Sequence, residues 1–163
     1  MLTIENENKI IKAAIKILES RVPQYSIDLT LTYDIKALLS LKYGLRKDET
    51  FGMILLDSAN MYIELVEVSH GSKRYVDVPY RKLVRICLEK NADKVVLFHN
   101  HPTAHGAFSP EDIQLTAELN DLLSGVDIVV IDHILVAGAT CNSFVEMQRL
   151  SHKKRTFDIK VRG

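Results

Sequence analysis

Cysteine is scarce in this chain. Cys87 and Cys141 are the only two in 163 residues, too few for a disulfide framework, so a reduced, cytoplasmic setting is expected. Long hydrophobic runs are missing as well. No stretch approaches the roughly eighteen unbroken apolar residues of a spanning helix, and no membrane partner is expected. The first residues, Met1-Leu2-Thr3-Ile4-Glu5-Asn6-Glu7, are acidic and lack a signal-peptide pattern. Nor is there an excess of either charge. Basic and acidic residues number 21 each, so no global field draws the chain to nucleic acid or to an anionic surface. Only the end is locally basic, through Lys153, Lys154, Arg155, Lys160 and Arg162, and a solvated tail is its plainest reading. Repeats and low-complexity segments are absent.

What is present describes an ordinary globular domain: 47% hydrophobic and 26% charged residues, in a chain long enough to bury a core. Ile4, Ile11, Ala14, Ile15 and Leu18 fall at helical spacing, with Pro23 closing that helix. A second helix is predicted from Asp34 to Tyr43, stopped by Gly44. Thr50 to Leu56 and Met61 to Val68 read as a strand pair joined by the turn Asp57-Ser58-Ala59-Asn60, and Ser69 to Tyr75 as a polar connection. Pro79 opens a helix reaching Asn91, with Cys87 as a small core residue on its apolar side. Lys94 to Phe98 is a buried strand. Ser109 to Leu123 is a helix, Val126 to Ile131 and Ile134 to Val136 are two apolar pieces around Asp132-His133, and Cys141 to Glu146 is a last strand. Helices alternating with strands predict an α/β fold, a mixed sheet with helices packed on it.

One stretch carries chemistry. The apolar run Val95-Val96-Leu97-Phe98 ends in His99-Asn100-His101-Pro102, and a polar loop leads to Ser109-Pro110-Glu111-Asp112. Residues two apart on a strand point the same way, so His99 and His101 project together and Asn100 projects oppositely. The end of a buried strand is where an α/β sheet exposes a crevice. Two charged imidazoles side by side repel, whereas two neutral ones can hold one cation, and a catalytic zinc wants a third protein ligand and a water. Asp112, in the first turn of the next helix, is the best third ligand, with His105 as a competitor from the loop. Asp132 and His133 suit a supporting role, a carboxylate orienting a ligand imidazole. Ser109 to Asp112 is also a good helix start in its own right. The base that a metal-activated water requires is left open by spacing among Asp48, Glu49, Asp57, Glu64 and Glu67.

These residues resemble a known pattern. His99-Asn100-His101-Pro102, six residues, then Ser109-x-x-Asp112 is similar to the JAMM (MPN+/JAB) metalloprotease motif, with the Asn variant of the RadC-like branch. The resemblance covers roughly residues 45 to 147. It takes in Glu49-Thr50-Phe51 through Leu56-Asp57, Asn60, Gly71-Ser72, the Arg81 to Asn91 helix, Asp132-His133 and Ser143-Phe144-x-Glu146. It implies a JAB/MPN (cytidine-deaminase-like) mixed β-sheet flanked by helices, with residues 1–45 as an N-terminal helical extension, 46–150 as the domain and 151–163 as a basic tail. It further implies zinc held by His99, His101 and Asp112, Glu49 as general base, and Ser109 stabilising the oxyanion. Two segments depart from the branch: the loop Thr103-Ala104-His105-Gly106-Ala107-Phe108 stands where Ser-Gly-Asp is usual, and Val78-Pro79-Tyr80-Arg81-Lys82 where Pro-Arg-Glu is usual. The helix-hairpin-helix segment of typical members has no counterpart in the first 45 residues.

The expected function is therefore a zinc-dependent peptidase or isopeptidase acting on a protein or peptide. The alternative is a role in DNA metabolism or repair, which the balanced charge and missing helix-hairpin-helix disfavour. A cytidine deaminase would want His-x-Glu with a later Pro-Cys-x-x-Cys, and the chain has neither. An exposed edge strand would suit a homodimer.

Overall fold

In the computed structural model, residues 3–22, 33–71 and 78–149 are described. Helices α1 (Ile4–Arg21) and α2 (Tyr33–Tyr43) precede strands β1 (Glu49–Leu56) and β2 (Tyr62–Gly71). Then come α3 (Tyr80–Glu89), β3 (Lys94–Asn100), α4 (Pro110–Ser124), β4 (Val129–Ala137) and β5 (Thr140–Ser143). The expectations for Pro23, the segment 72–75 and the basic tail lie outside the described residues.

The strands form one mixed sheet in the order β2-β1-β3-β4-β5. Among the described residues only β3 and β4 run parallel; the other neighbours are antiparallel. That single parallel pair needs a crossover, and α4 supplies it. The mixed sheet flanked by helices is the α/β, JAB/MPN-type architecture expected.

Side-chain alternation sorts the core into two layers. Ile54, Leu56, Val96, Phe98, Ile134 and Val136 meet Ile35, Leu38, Leu39 and Tyr43 of α2 and Leu18 of α1 on one face. Phe51, Met53, Leu55, Val95 and Leu97 meet Leu83 and Cys87 of α3 and Leu119 and Leu123 of α4 on the other. By the same parity Glu49 and His99 belong to the α3/α4 face. Gly52 lies on the α1/α2 face, where a Cβ would stand 2.3 Å from the Phe98 ring, so the strand crossing itself requires glycine. Gly44 likewise does more than stop a helix: a Cβ there would meet the Gly138 carbonyl oxygen at 2.0 Å, where the end of α2 abuts the β4–β5 turn.

Three expectations change. Ser69 to Gly71, expected to begin a polar connection, extend β2 instead and pair with Glu49 to Phe51 of β1. The apolar pieces on either side of Asp132-His133 are one strand, and its pairing with β3 shifts between Val95↔Val130 and Val96↔Asp132, leaving Ile131 as an extra residue. This bulge reverses the parity of the rest of β4, because one inserted residue moves every later side chain to the opposite face. The segment Cys141 to Glu146 is not a strand throughout. β5 ends at Ser143, residues 144–149 are helical, and the Ser143 Oγ accepts from the Glu146 N–H at 3.1 Å as a helix cap.

Candidate metal centre

The antiparallel register Phe51↔His99, continued two residues, sets Glu49 opposite His101 at the same end of the sheet. The loop after His101 then returns the chain so that α4 begins over that end. His101 N–H donates to the Val136 carbonyl at 2.9 Å and Ala104 N–H to the His101 carbonyl at 3.0 Å, so the turn starts at once. Ala104 takes φ 55° there. Asn142 fixes the loop's far side by donating to the Gly106 carbonyl at 2.7 Å.

Four predicted residues converge as a result. Glu49, His99, His101 and Asp112 each present a nitrogen or carboxylate oxygen, and these atoms all lie within 4.8 Å of one another. The Nε2 atoms of His99 and His101 are 3.2 Å apart. Asp112 Oδ1 is 3.2 Å from His99 Nε2, and Asp112 Oδ2 is 3.3 Å from His101 Nε2. This set could hold a metal ion. His105 turns out differently from a competing ligand: its backbone carbonyl, at 2.9 Å, accepts from His101 Nδ1. A carbonyl only accepts, so His101 carries its proton on Nδ1 and turns the Nε2 lone pair toward the cluster.

The helix-start and metal readings of Ser109 and Asp112 turn out to use the same atoms. Ser109 Oγ accepts from the Asp112 N–H at 3.1 Å, and Asp112 Oδ2 accepts from the Ser109 N–H at 2.7 Å, a reciprocal capping box. The box locks the carboxylate in place, and the N-terminus of α4 favours its charge. Burial pushes the Asp112 carboxyl up, but in the metal-free site His101 and His99, when protonated, donate hydrogen bonds to it that outweigh burial and hold the group far below the usual carboxylate range. Asp112 in turn pushes His101 up. Burial pushes the Glu49 carboxyl up, against the nearby His99 and His101.

The other acidic candidates are committed elsewhere. Glu67 receives two hydrogen bonds from Arg46, at 2.8 and 3.1 Å, and one from Tyr43 at 3.0 Å. Glu64 pairs with Lys90 at 2.7 Å, and Asp57 closes the β1–β2 turn by accepting from Ala59 and Met61 N–H groups. Asp48 is joined to Asn100 through its backbone carbonyl.

Several contributors escape a reading of the sequence. Asn100, between the histidines and on the opposite face, accepts from Thr50 N–H at 2.7 Å and donates to the Asp48 carbonyl at 3.2 Å. It therefore fastens the backbone on both sides of Glu49. The expected carboxylate support for His99 is an imidazole instead: His133 Nε2 lies 2.8 Å from His99 Nδ1. Asp132 takes no part in that contact. It accepts from Ser143 Oγ at 2.6 Å and from the N–H groups of His133 and Val145, and so builds the β4–β5 corner. Thr116, one turn after Asp112 on α4, touches His133 Nδ1 at 2.6 Å; its i+4 spacing was the available signal. Phe108 packs edge-on to His99 and His133, with ring centroids 6.0 and 5.5 Å away.

Comparison with known proteins agrees with this geometry. The family model described as "RadC-like JAB domain" matches residues 29–150. A UPF0758 protein of Vibrio cholerae is 38% identical over 140 residues, covering 86% of this chain and 88% of its own. UPF0758 proteins of Aromatoleum aromaticum and Saccharophagus degradans are 40% and 36% identical over 69% and 72% of this chain, but the chain spans only about half of their length, 50% and 53%. The protein belongs to the RadC-like JAB domain family.

Proposed function

We propose that the protein is a zinc-dependent hydrolase of the JAMM type that cleaves a peptide or isopeptide bond. The observation that carries this reading is the convergence of two imidazole Nε2 atoms and two carboxylates within 4.8 Å at the end of β3. In it His99, His101 and Asp112 would hold the ion, a nitrogen and oxygen donor set that suits zinc. When bound, such an ion acidifies a water toward neutral pKa and polarises a carbonyl.

The remaining steps fall to the chain. Glu49 takes a proton from the attacking water and returns it to the departing amine, as a carboxylate raised by burial is suited to do. Ser109 accepts from the Asp112 N–H through one lone pair, and its hydroxyl proton donates to the oxyanion that develops on the carbonyl. Phe108 covers the His99 ring and keeps water from that side of the site.

Zinc analysis of the wild type beside His99→Ala, joined to a cleavage screen over peptide and isopeptide substrates, tests the proposal. One zinc per chain, lost in His99→Ala, is expected. Glu49→Gln should retain zinc and lose hydrolysis by about a hundredfold or more, the usual worth of a general base. Activity that survives complete chelation overturns the reading.

A further inference from the structure

Beneath the four converging groups lies a line of buried hydrogen bonds that begins at the Asp112 carbonyl and ends on His99, whose Nε2 faces the Asp112 carboxylate. Thr116 Oγ1 is 2.6 Å from the Asp112 backbone carbonyl and 2.6 Å from His133 Nδ1. His133 Nε2 is 2.8 Å from His99 Nδ1. His99 Nε2 returns to the Asp112 carboxylate at 3.2 Å. His133 is fully buried, and Thr116 nearly so.

The proton on each group is set by one fixed point. Two oxygens 2.6 Å apart repel unless a proton lies between them, and a carbonyl has none to give. Thr116 therefore donates its single proton to Asp112. Its oxygen is then an acceptor toward His133, so His133 Nδ1 carries a hydrogen. A neutral imidazole has only one, which leaves His133 Nε2 as an acceptor and makes His99 Nδ1 the donor. The His99 Nε2 lone pair is then bare and faces His101 and the Asp112 carboxylate.

We propose that His133 and Thr116 are positioning residues for the metal: they hold His99 in its Nδ1-protonated form and so keep its Nε2 lone pair available to the ion. This rests on reading His99 and Asp112 as metal ligands. The arrangement couples the two, since Asp112 gives its carboxylate to the site and, through its carbonyl, sets the proton on His99. It also gives the bulge in β4 a purpose. Were Ile131 paired with Val96 instead of bulged out, His133 would fall opposite Phe98 on the α1/α2 face and the line would be broken.

Two measurements test this. Long-range nitrogen–proton NMR of 15N-histidine-labelled, metal-free protein reads the His133 tautomer directly; the Nδ1–H form is expected in the wild type and in Thr116→Ser. Zinc competition against a chromophoric chelator reads affinity. Thr116→Val keeps the shape but not the hydroxyl, and should weaken zinc by about 10- to 100-fold, as loss of an outer partner to a ligand does. Thr116→Ser should bind like the wild type. A His133 Nε2–H form in the wild type overturns the inference, as does unchanged zinc affinity in Thr116→Val. Wild-type protein that binds no zinc overturns the hydrolase reading and this inference together, whereas the first two results leave the hydrolase reading standing.

Discussion

The Asn100 carboxamide accepts a hydrogen bond from the Thr50 N–H at 2.7 Å, in the interior of the protein. The same amide donates to the Asp48 carbonyl at 3.2 Å. Glu49 sits between these two backbone anchors. A side chain thus does what the strand ladder would otherwise do at the point where β3 runs out. Asn100→Ala leaves the buried Thr50 N–H without a partner and should cost about 1–3 kcal/mol. Urea unfolding should show a lower midpoint with an unchanged slope.

Metal should stabilise the fold. Binding to the folded state alone contributes about 2.7 kcal/mol when free zinc is a hundred times its dissociation constant. A rise in Tm on adding zinc, reversed by a chelator and absent from His101→Ala, is the expected outcome. The His101 ring joins the other three groups within 4.8 Å, so its removal opens the set.

That stabilisation should grow with pH. In the metal-free protein His101 is raised by Asp112 beside it. Its contribution is fully present below the unfolded imidazole value of about 6.5 and is lost as pH rises through the folded value. Asp112 is buried, which raises it, but its histidine partners lower it further. Its contribution is present above the unfolded value of about 3.9 and is lost as pH falls toward the folded one. Protons and metal compete for the same nitrogens. The gain in Tm from zinc should therefore be small near pH 5 and larger near pH 7.5, as thermal melts across that range will show.

Gly52→Ala should damage the fold. The new methyl would stand 2.3 Å from Phe98 Cζ and 2.6 Å from the Val66 carbonyl oxygen. One side is an aromatic ring packed in the core, and the other is backbone of the neighbouring strand. A loss of about 1–3 kcal/mol or more is expected from such overpacking, measurable by denaturant titration.

The thiols should be slow to react. Burial pushes Cys87 and Cys141 up to about 11 each, and the thiolate is the nucleophile. Alkylation at pH 8 should be slow in the native protein and fast in denaturant, followed by mass spectrometry.

Three of the four residues of the candidate site, His99, His101 and Asp112, were legible in the sequence for a local reason. His99 and His101 share a side because strand side chains alternate, and Ser109 to Asp112 announces a helix start by composition alone. Choosing Glu49 among the acids needed the resemblance, since spacing left five candidates open. The fold was legible where burial is periodic, as in β1 and β3. It was not legible at β4, where a single inserted residue breaks the period and made one strand look like two pieces.

By itself, then, the sequence determined the element order up to α4, the two histidines at a strand end and the acid in the following turn, because alternation, helix period and capping act over a few residues. The tertiary structure alone decided which distant groups meet them. It brings Glu49 beside His101 through an antiparallel register across fifty residues. It sets an imidazole rather than the Asp132 carboxylate behind His99. It makes the His105 carbonyl, not its ring, the partner of His101. Pairing register, a bulge and the return of a loop are long-range choices made by packing of the whole sheet, and no local pattern encodes them.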